Sequence, residues 1–253
     1  MFLNKIKILK FVFVAGLVFF AFVKVANAQS GASNFFIESS FDVSGRSTIQ
    51  AISVKTSPSL YFYVEKSWWE AQPQLKKDEI LKNLDDLSAE FQSNIYPNLT
   101  NIFGYERTPG IDGDQRITVL FTPIKGSQEA GYFRTDDGYE KLQISTSNER
   151  EMVYISVDLL TSPKLKIALA HEFVHLITFN QKDTNFKIED DVWLNEARAD
   201  YSSTILGYDN QLDISNIQSR IKDFIESPSD SITEWRGIKY DYASASLFIH
   251  YLV

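Results

Sequence analysis

The 253-residue chain has no cysteine and only three histidines. Without cysteine no disulfide can staple the fold, even in an oxidising compartment. Stability must then come from a hydrophobic core or a bound metal. The same absence leaves no thiol to carry a lipid anchor behind an N-terminal leader. Basic charge is scarce: 25 Lys and Arg stand against 33 Asp and Glu, a net charge of −8. That balance argues against a nucleic-acid binder, which normally presents a basic face. Beyond the first thirty residues no run is long and apolar enough to cross a bilayer. Internal repeats and low-complexity tracts are missing too.

What is present begins with a leader. Lys5, Lys7 and Lys10 precede an apolar stretch, Phe11 to Val23, and Ala26-Asn27-Ala28 supplies small residues at the spacing a signal peptidase accepts. Residues 1–28 are read as a signal peptide cleaved after Ala28. The competing reading is an uncleaved anchor, which the short core and Lys24 disfavour. Removing the leader takes away four lysines and leaves 225 residues, with 21 basic against 33 acidic side chains and a net charge of −12. The expectation is a secreted or periplasmic protein with no stable membrane insertion after cleavage.

Residues 29–56 are polar and Ser-rich, either a flexible start or early edge strands. The aromatic-dense stretch from Ser59 to Trp69 reads as a strand. Ile80, Leu81, Leu84, Leu87, Phe91 and Ile95 recur at helical spacing, and Pro97 is expected to end that helix. Residues 109–114 form a turn cluster. Asp112 and Asp114 within it could touch calcium, but the twelve-residue loop of an EF-hand is absent. Strands are expected over 116–124, 129–137 (a short strand, then a turn) and 151–158. The periodicity then turns helical. Ser162 is placed to cap a helix with Pro163 in its first turn, running to about Asn180. A polar loop over 181–190 should lead to a helix starting at Asp190 or Asp191. A third follows Ile214, Ile217, Ile221, Phe224 and Ile225, and a fourth begins near Tyr240. This is an α+β pattern: a sheet-rich part over 57–180, then a helical part over 181–253. The final residues FIHYLV lie mid-helix by their pattern, without a cap or turn. Either the helical lobe is minimal or the sequence is a truncated version of a longer protein.

Two of the three histidines sit in HEFVH, residues 171–175, inside the first of these late helices. Residues four apart share one helix face, so His171 and His175 can direct a ring nitrogen each at one point. Glu172 stands beside that face but angled away. Two imidazoles can hold zinc while such a carboxylate takes a proton from the activated water. A single buried histidine would more often satisfy a backbone carbonyl; two at this spacing, flanking a glutamate, supply ligands and base together. A third ligand is required, with one position left open. Glu196, in WLNEARADY, comes 21 residues after His175, enough for a loop and an antiparallel return. Asp200, one turn on, can hold the outer N–H of a ligand histidine. The plainer reading of both acids is a solvated helix face, which Trp193, Leu194, Ala197, Ala199 and Tyr201 weaken.

HEFVH followed by NEARAD resembles the gluzincin metallopeptidases, which pair HExxH with a downstream NExxxD-type helix. Among them it is most similar to the hyicolysin-like secreted bacterial peptidases, whose region before the zinc helix has the character of RITVLF and AGYF here. The resemblance runs from about 115 to 252; the first hundred residues match nothing comparable. It implies a zincin-like catalytic domain with zinc held by His171, His175 and Glu196, Glu172 as general base, and Asp200 orienting a ligand histidine. It further implies an oxyanion-stabilising residue in the later helices, with Tyr240, Tyr242 and His250 as candidates and Tyr242 slightly ahead. The strand at Gly131-Tyr132-Phe133 would pair with extended substrate, or be an ordinary structural strand. The implied function is a secreted zinc endopeptidase acting on proteins or peptides. The alternative is a zinc-containing binding or structural protein with little or no catalysis.

Overall fold

The structure, a computed structural model, describes residues 31–126, 130–188 and 190–253. The leader expected over 1–28 and Glu129 of one expected strand lie outside the described residues. The polar start resolves into strands: β1 (Ser33–Phe36) and β2 (Thr48–Thr56) form an antiparallel pair. β3 (Leu60–Glu65) pairs antiparallel with β2. The aromatic stretch is therefore a shorter strand than its sequence suggests. Glu65 accepts the Ser67 hydroxyl at 2.6 Å and both terminal nitrogens of Arg46, and the chain turns there into a short helix, α1 (Lys66–Glu70).

α2 (Gln74–Glu90) carries the expected apolar stripe, with Ile80, Leu84 and Leu87 buried. Pro97 does not end it. A π-helical turn over Phe91–Ile95 leads into α3 (Tyr96–Phe103), with Pro97 in its first turn. The wide turn has already interrupted the i to i−4 ladder, so proline's missing N–H removes no bond that the helix was making. β4 (Ile117–Thr122) then returns parallel to β3, and β6 (Met152–Ser156) runs parallel to β4. Between them, β5 (Gly131–Tyr132) pairs antiparallel with β6 at the sheet edge. The strand order is β1-β2-β3-β4-β6-β5. The acidic turn before β4 spends Asp114 on Arg116 and on the Tyr61 hydroxyl.

β4 and β6 are buried on both faces, which is why they read as largely apolar runs, while β3 keeps Tyr61 and Tyr63 half-buried. Leu60, Phe62, Val119, Phe121, Val153 and Ile155 point to the helical layer, against Leu84, Phe91, Phe173 and Val174. The alternate residues Leu120, Met152 and Tyr154 pack on the other face with Phe35, Ile49 and Ala51 of the first hairpin. From β6 the chain passes through a 3-10 turn (Val157–Leu159) into α4 (Leu165–Thr178). α4 starts later than the Ser162-Pro163 signal suggests, because Ser162 Oγ accepts the Lys164 N–H within the preceding turn. Nor is 181–190 a simple loop. A π-helical turn continues over Phe179–Thr184, and its polar side chains have work there: Asn180 and Gln181 both donate to the Tyr105 carbonyl. Three helices complete the fold: α5 (Val192–Ile205), α6 (Asn216–Glu226) and α7 (Lys239–Leu252). A mixed sheet followed by helices, with HEFVH on the first of them, is a zincin-like α+β arrangement. Among the described residues no helix is long and apolar enough to cross a membrane.

Candidate metal centre

α4 lies against β5 and β6 and is buried along most of its circumference. A helix so enclosed has little reason to carry charge, yet Glu172 and His175 are among its buried residues. The two imidazoles converge: His171 Nε2 and His175 Nε2 are 3.1 Å apart. α5 brings Glu196 to the same point, with Oε2 3.3 Å from His171 Nε2 and Oε1 3.6 Å from His175 Nε2. Among the described residues this is the only group of three or more His, Cys, Asp or Glu side chains placed to hold a metal ion.

The outer ring nitrogens identify the tautomer. His171 Nδ1 is 3.2 Å from Asp200 Oδ1, and His175 Nδ1 is 3.2 Å from Asn195 Oδ1. Both partners are acceptors, so both Nδ1 atoms carry a proton, which leaves each Nε2 as the atom able to turn a lone pair to a metal. Two imidazole Nε2 atoms and a carboxylate closing on one point make a pocket for positive charge, whether a metal ion or protons on the rings. The donor spacing suits zinc: ligands at about 2.0–2.1 Å in a tetrahedral arrangement stand roughly 3.3 Å apart. The donor set of two imidazoles and one carboxylate is that of an open, catalytic kind of zinc site.

The electrostatics agree with a site built for positive charge. Burial would depress the His171 imidazole, but Asp200 and Glu196 outweigh it and hold its pKa well above the ordinary value. For Glu196, burial pushes upward and the two histidines push harder the other way, leaving it below the usual carboxylate range. Asp200 is depressed likewise, against burial, by Arg220 and His171. Glu172 differs. Burial dominates there and raises its pKa, with the histidines opposing, and its Oε2 has no hydrogen-bond partner. Its Oε2 is a buried carboxylate oxygen left without a partner on the helix that carries both histidines.

Gly131 closes against that carboxylate. A Cβ at this position would fall 3.0 Å from Glu172 Oε1 and would collide with the Tyr154 carbonyl. Only a bare backbone lets the edge strand lie flush on Glu172. Tyr132 turns the other way, stacked on Tyr154 at 4.4 Å, while Phe133 packs against Phe179.

Of the three late candidates, two are spent elsewhere. The Tyr240 hydroxyl pairs with Glu226 at the surface, and His250 is held between Thr204 Oγ1 (2.7 Å) and the Ser246 carbonyl. Tyr242 lies level with the site by helix register. Ser246 meets Asp200 at 2.5 Å and His250 meets Thr204, each pair 46 residues apart, so α7 runs parallel to α5. One turn back on both helices, Tyr242 is level with Glu196. Burial and then the Glu196 charge push the Tyr242 hydroxyl's pKa up, so the group stays protonated.

Sequence reasoning did not find Asn195, Arg220 or Ser246. Arg220 donates from Nε to Asp200 Oδ2 at 2.7 Å and from Nη2 to Oδ1 at 3.2 Å; Ser246 Oγ donates to Oδ2. Asn195 had one signal, its place beside Glu196. Arg220 and Ser246 had none, because they arrive from α6 and α7 through tertiary packing alone.

Over 193 residues the chain is 29% identical to the "Neutral metalloprotease ShpI" of Staphylococcus hyicus. The match covers 68% of this chain and 42% of that protein, so the chain spans about two-fifths of that protein's length. No protein-family model matches the chain. The chain is thus distantly homologous to a bacterial neutral metalloprotease and carries a His-His-Glu cluster able to hold a metal.

Proposed function

We propose that the protein is an exported zinc-dependent endopeptidase that hydrolyses peptide bonds in protein or peptide substrates. One observation carries the reading. Three donors converge on a point next to a buried glutamate whose Oε2 has no hydrogen-bond partner. A purely structural zinc site closes all four positions and has no use for such a base.

His171, His175 and Glu196 would hold the zinc, and zinc bound there supplies a Lewis acid and acidifies water. Glu172 accepts the proton of the attacking water and passes it to the leaving amine. Its raised pKa suits both steps, since the group must first take and then release one proton. Tyr242, protonated and level with Glu196, donates to the oxyanion that develops on the carbonyl. Asp200 and Asn195 fix the two imidazoles with their Nε2 lone pairs inward. The free side of β5 receives the extended substrate as an added strand. Export rests on the leader sequence and on the relationship to a neutral metalloprotease.

The test is zinc stoichiometry on the purified protein together with cleavage of an unfolded protein such as casein. One zinc per chain and cleavage are expected. Glu172→Gln should keep the zinc and lose activity by about a thousandfold or more. Equal cleavage by that variant would sink the mechanism. Zinc without cleavage in the parent would favour the alternative, a zinc-containing binding or structural protein.

A further inference from the structure

The connection between the two helices that carry the donors is closed by one carboxylate. Asp190 lies between α4 and α5, and its side chain is largely buried. Its Oδ1 accepts Lys182 Nζ at 2.5 Å, from the π-helical turn that continues α4. Its Oδ2 pairs with the Arg198 guanidinium, from the second turn of α5. Asp190 Oδ2 and Arg198 Nη2 are both buried and have no other partner. Backbone bonds from the Lys187 N–H to Asp183 and from the Ile188 N–H to Lys182, at 3.1 and 3.2 Å, fold the same stretch back on itself. The closure puts Lys187 at φ +56°, a conformation that a β-carbon disfavours.

That closure falls where α5 needs it. Asp191 precedes the helix, but its side chain caps none of the helix amides. The first turn of α5 therefore lacks the bond that commonly keeps a helix start from fraying. Asn195 is the fourth residue of α5 and Glu196 the fifth, so both groups that meet the histidines sit near the uncapped end. The pairing of Asp190, just outside the helix, with Arg198, beyond Glu196, spans this stretch. The Lys182 pairing ties it to the chain that leaves His175. A negative charge at a helix start is favourable besides. Without the carboxylate, a buried guanidinium would face a second cation with nothing between them, a state far more costly than the intact pair is stabilising.

We propose that Asp190 is a positioning residue for the metal centre: by holding Lys182 and Arg198 together it fixes the start of α5 against the end of α4, and so sets Glu196 on the two histidines. Asp190 acts through Glu196 and touches neither metal nor substrate. The proposal rests on the reading of the centre as a zinc site and needs no catalysis.

The experiment is a double-mutant cycle on the full chain, read as the zinc dissociation constant from chelator competition. Asp190→Asn should weaken zinc binding by about 10-fold in the parent. In a Glu196→Ala background, where two histidines hold zinc more weakly, the same change should cost less than about twofold, because the residue it works through is gone. The cobalt(II)-loaded Asp190→Asn protein should shift its visible absorption towards that of Glu196→Ala. Glu65→Gln, which breaks the separate ion pair with Arg46, is the control: it should lower denaturant stability and leave zinc affinity and the cobalt spectrum unchanged. If Asp190→Asn does not fold, Lys182→Met takes its place in the cycle; it breaks the more exposed of the two pairs and should cost about threefold in the parent alone. An equal loss in both backgrounds, or none in the parent, overturns the proposal. So does a loss of zinc affinity in Glu65→Gln as large as that in Asp190→Asn. A parent that binds no zinc overturns the metal reading itself, and the proposal with it.

Discussion

Asp200 takes three partners on two oxygens: His171 Nδ1, the Arg220 guanidinium and the Ser246 hydroxyl. Its charge faces the imidazole it orients, so Asp200→Asn would keep the shape and lose the pull on the Nδ1 proton. The expected result is zinc affinity weaker by about 10- to 100-fold, measured by chelator competition, with activity recovering at saturating zinc. Unchanged affinity would remove Asp200 from the site. A second acid is informative because it lies outside the centre. Glu151 is buried and accepts the Ile111 N–H at 2.8 Å, and burial pushes its pKa up to about 6. A carboxyl with a raised folded pKa binds its proton more tightly when folded. Stability is therefore fullest below the unfolded value of 4.5 and declines as pH rises to about 6. The cost above that range is on the order of 2 kcal/mol. Glu151→Gln keeps an acceptor for Ile111 and removes the charge. It should raise denaturant stability at pH 7.5 by up to about 2 kcal/mol and change little at pH 4. A gain that did not depend on pH would point to packing instead.

The helices show how far the local pattern reaches. HEFVH on α4 and NEARAD on α5 each declare one face, because a spacing of four is a property of a single helix. The meeting of those faces is visible only in the packing of α4 on α5. The same holds for Pro97, where a single-residue rule was overridden by a π-helical turn that no composition marks. α6 is the clearest case. None of its residues is fully buried, yet it delivers Arg220 to a buried carboxylate. Breaking a buried ion pair by removing one partner is far more costly than never having had it. Arg220→Met should lower stability by about 3–5 kcal/mol in denaturant unfolding. A loss below about 1 kcal/mol would mean that Asp200 finds other compensation from Ser246 and His171.

At the scale of the molecule, one observation links fold and metal. The sheet and its covering helices form a core without the site, while α4 and α5 are joined there by three donors that one metal ion would bridge. Metal binding to the folded state alone adds RT ln(1 + [L]/Kd), about 2.7 kcal/mol at a hundredfold excess over Kd. For a chain of this size that corresponds to a drop in Tm of roughly 5–10 °C on chelation. Glu172→Gln should show the same drop, since Glu172 is not among the three donors. His175→Ala should show little or none. A parent whose Tm ignores a strong chelator holds no metal at this centre.

The sequence by itself determined the strands-then-helices order, the buried double-faced strands and the pairing of HEFVH with a downstream acidic helix. These are local quantities: alternation, helical spacing and residue chemistry within one element. Only the tertiary structure decided that Glu196 closes on the two histidines, that Asn195 holds His175 while Arg220 and Ser246 hold Asp200, and that Tyr242, unlike Tyr240 and His250, is not hydrogen-bonded elsewhere among the described residues and lies level with Glu196. Each of these depends on the register between helices far apart in the chain, such as the common offset of 46 residues between α5 and α7. Register is set by how side chains interlock across an interface, and one helix's sequence contains only half of that information.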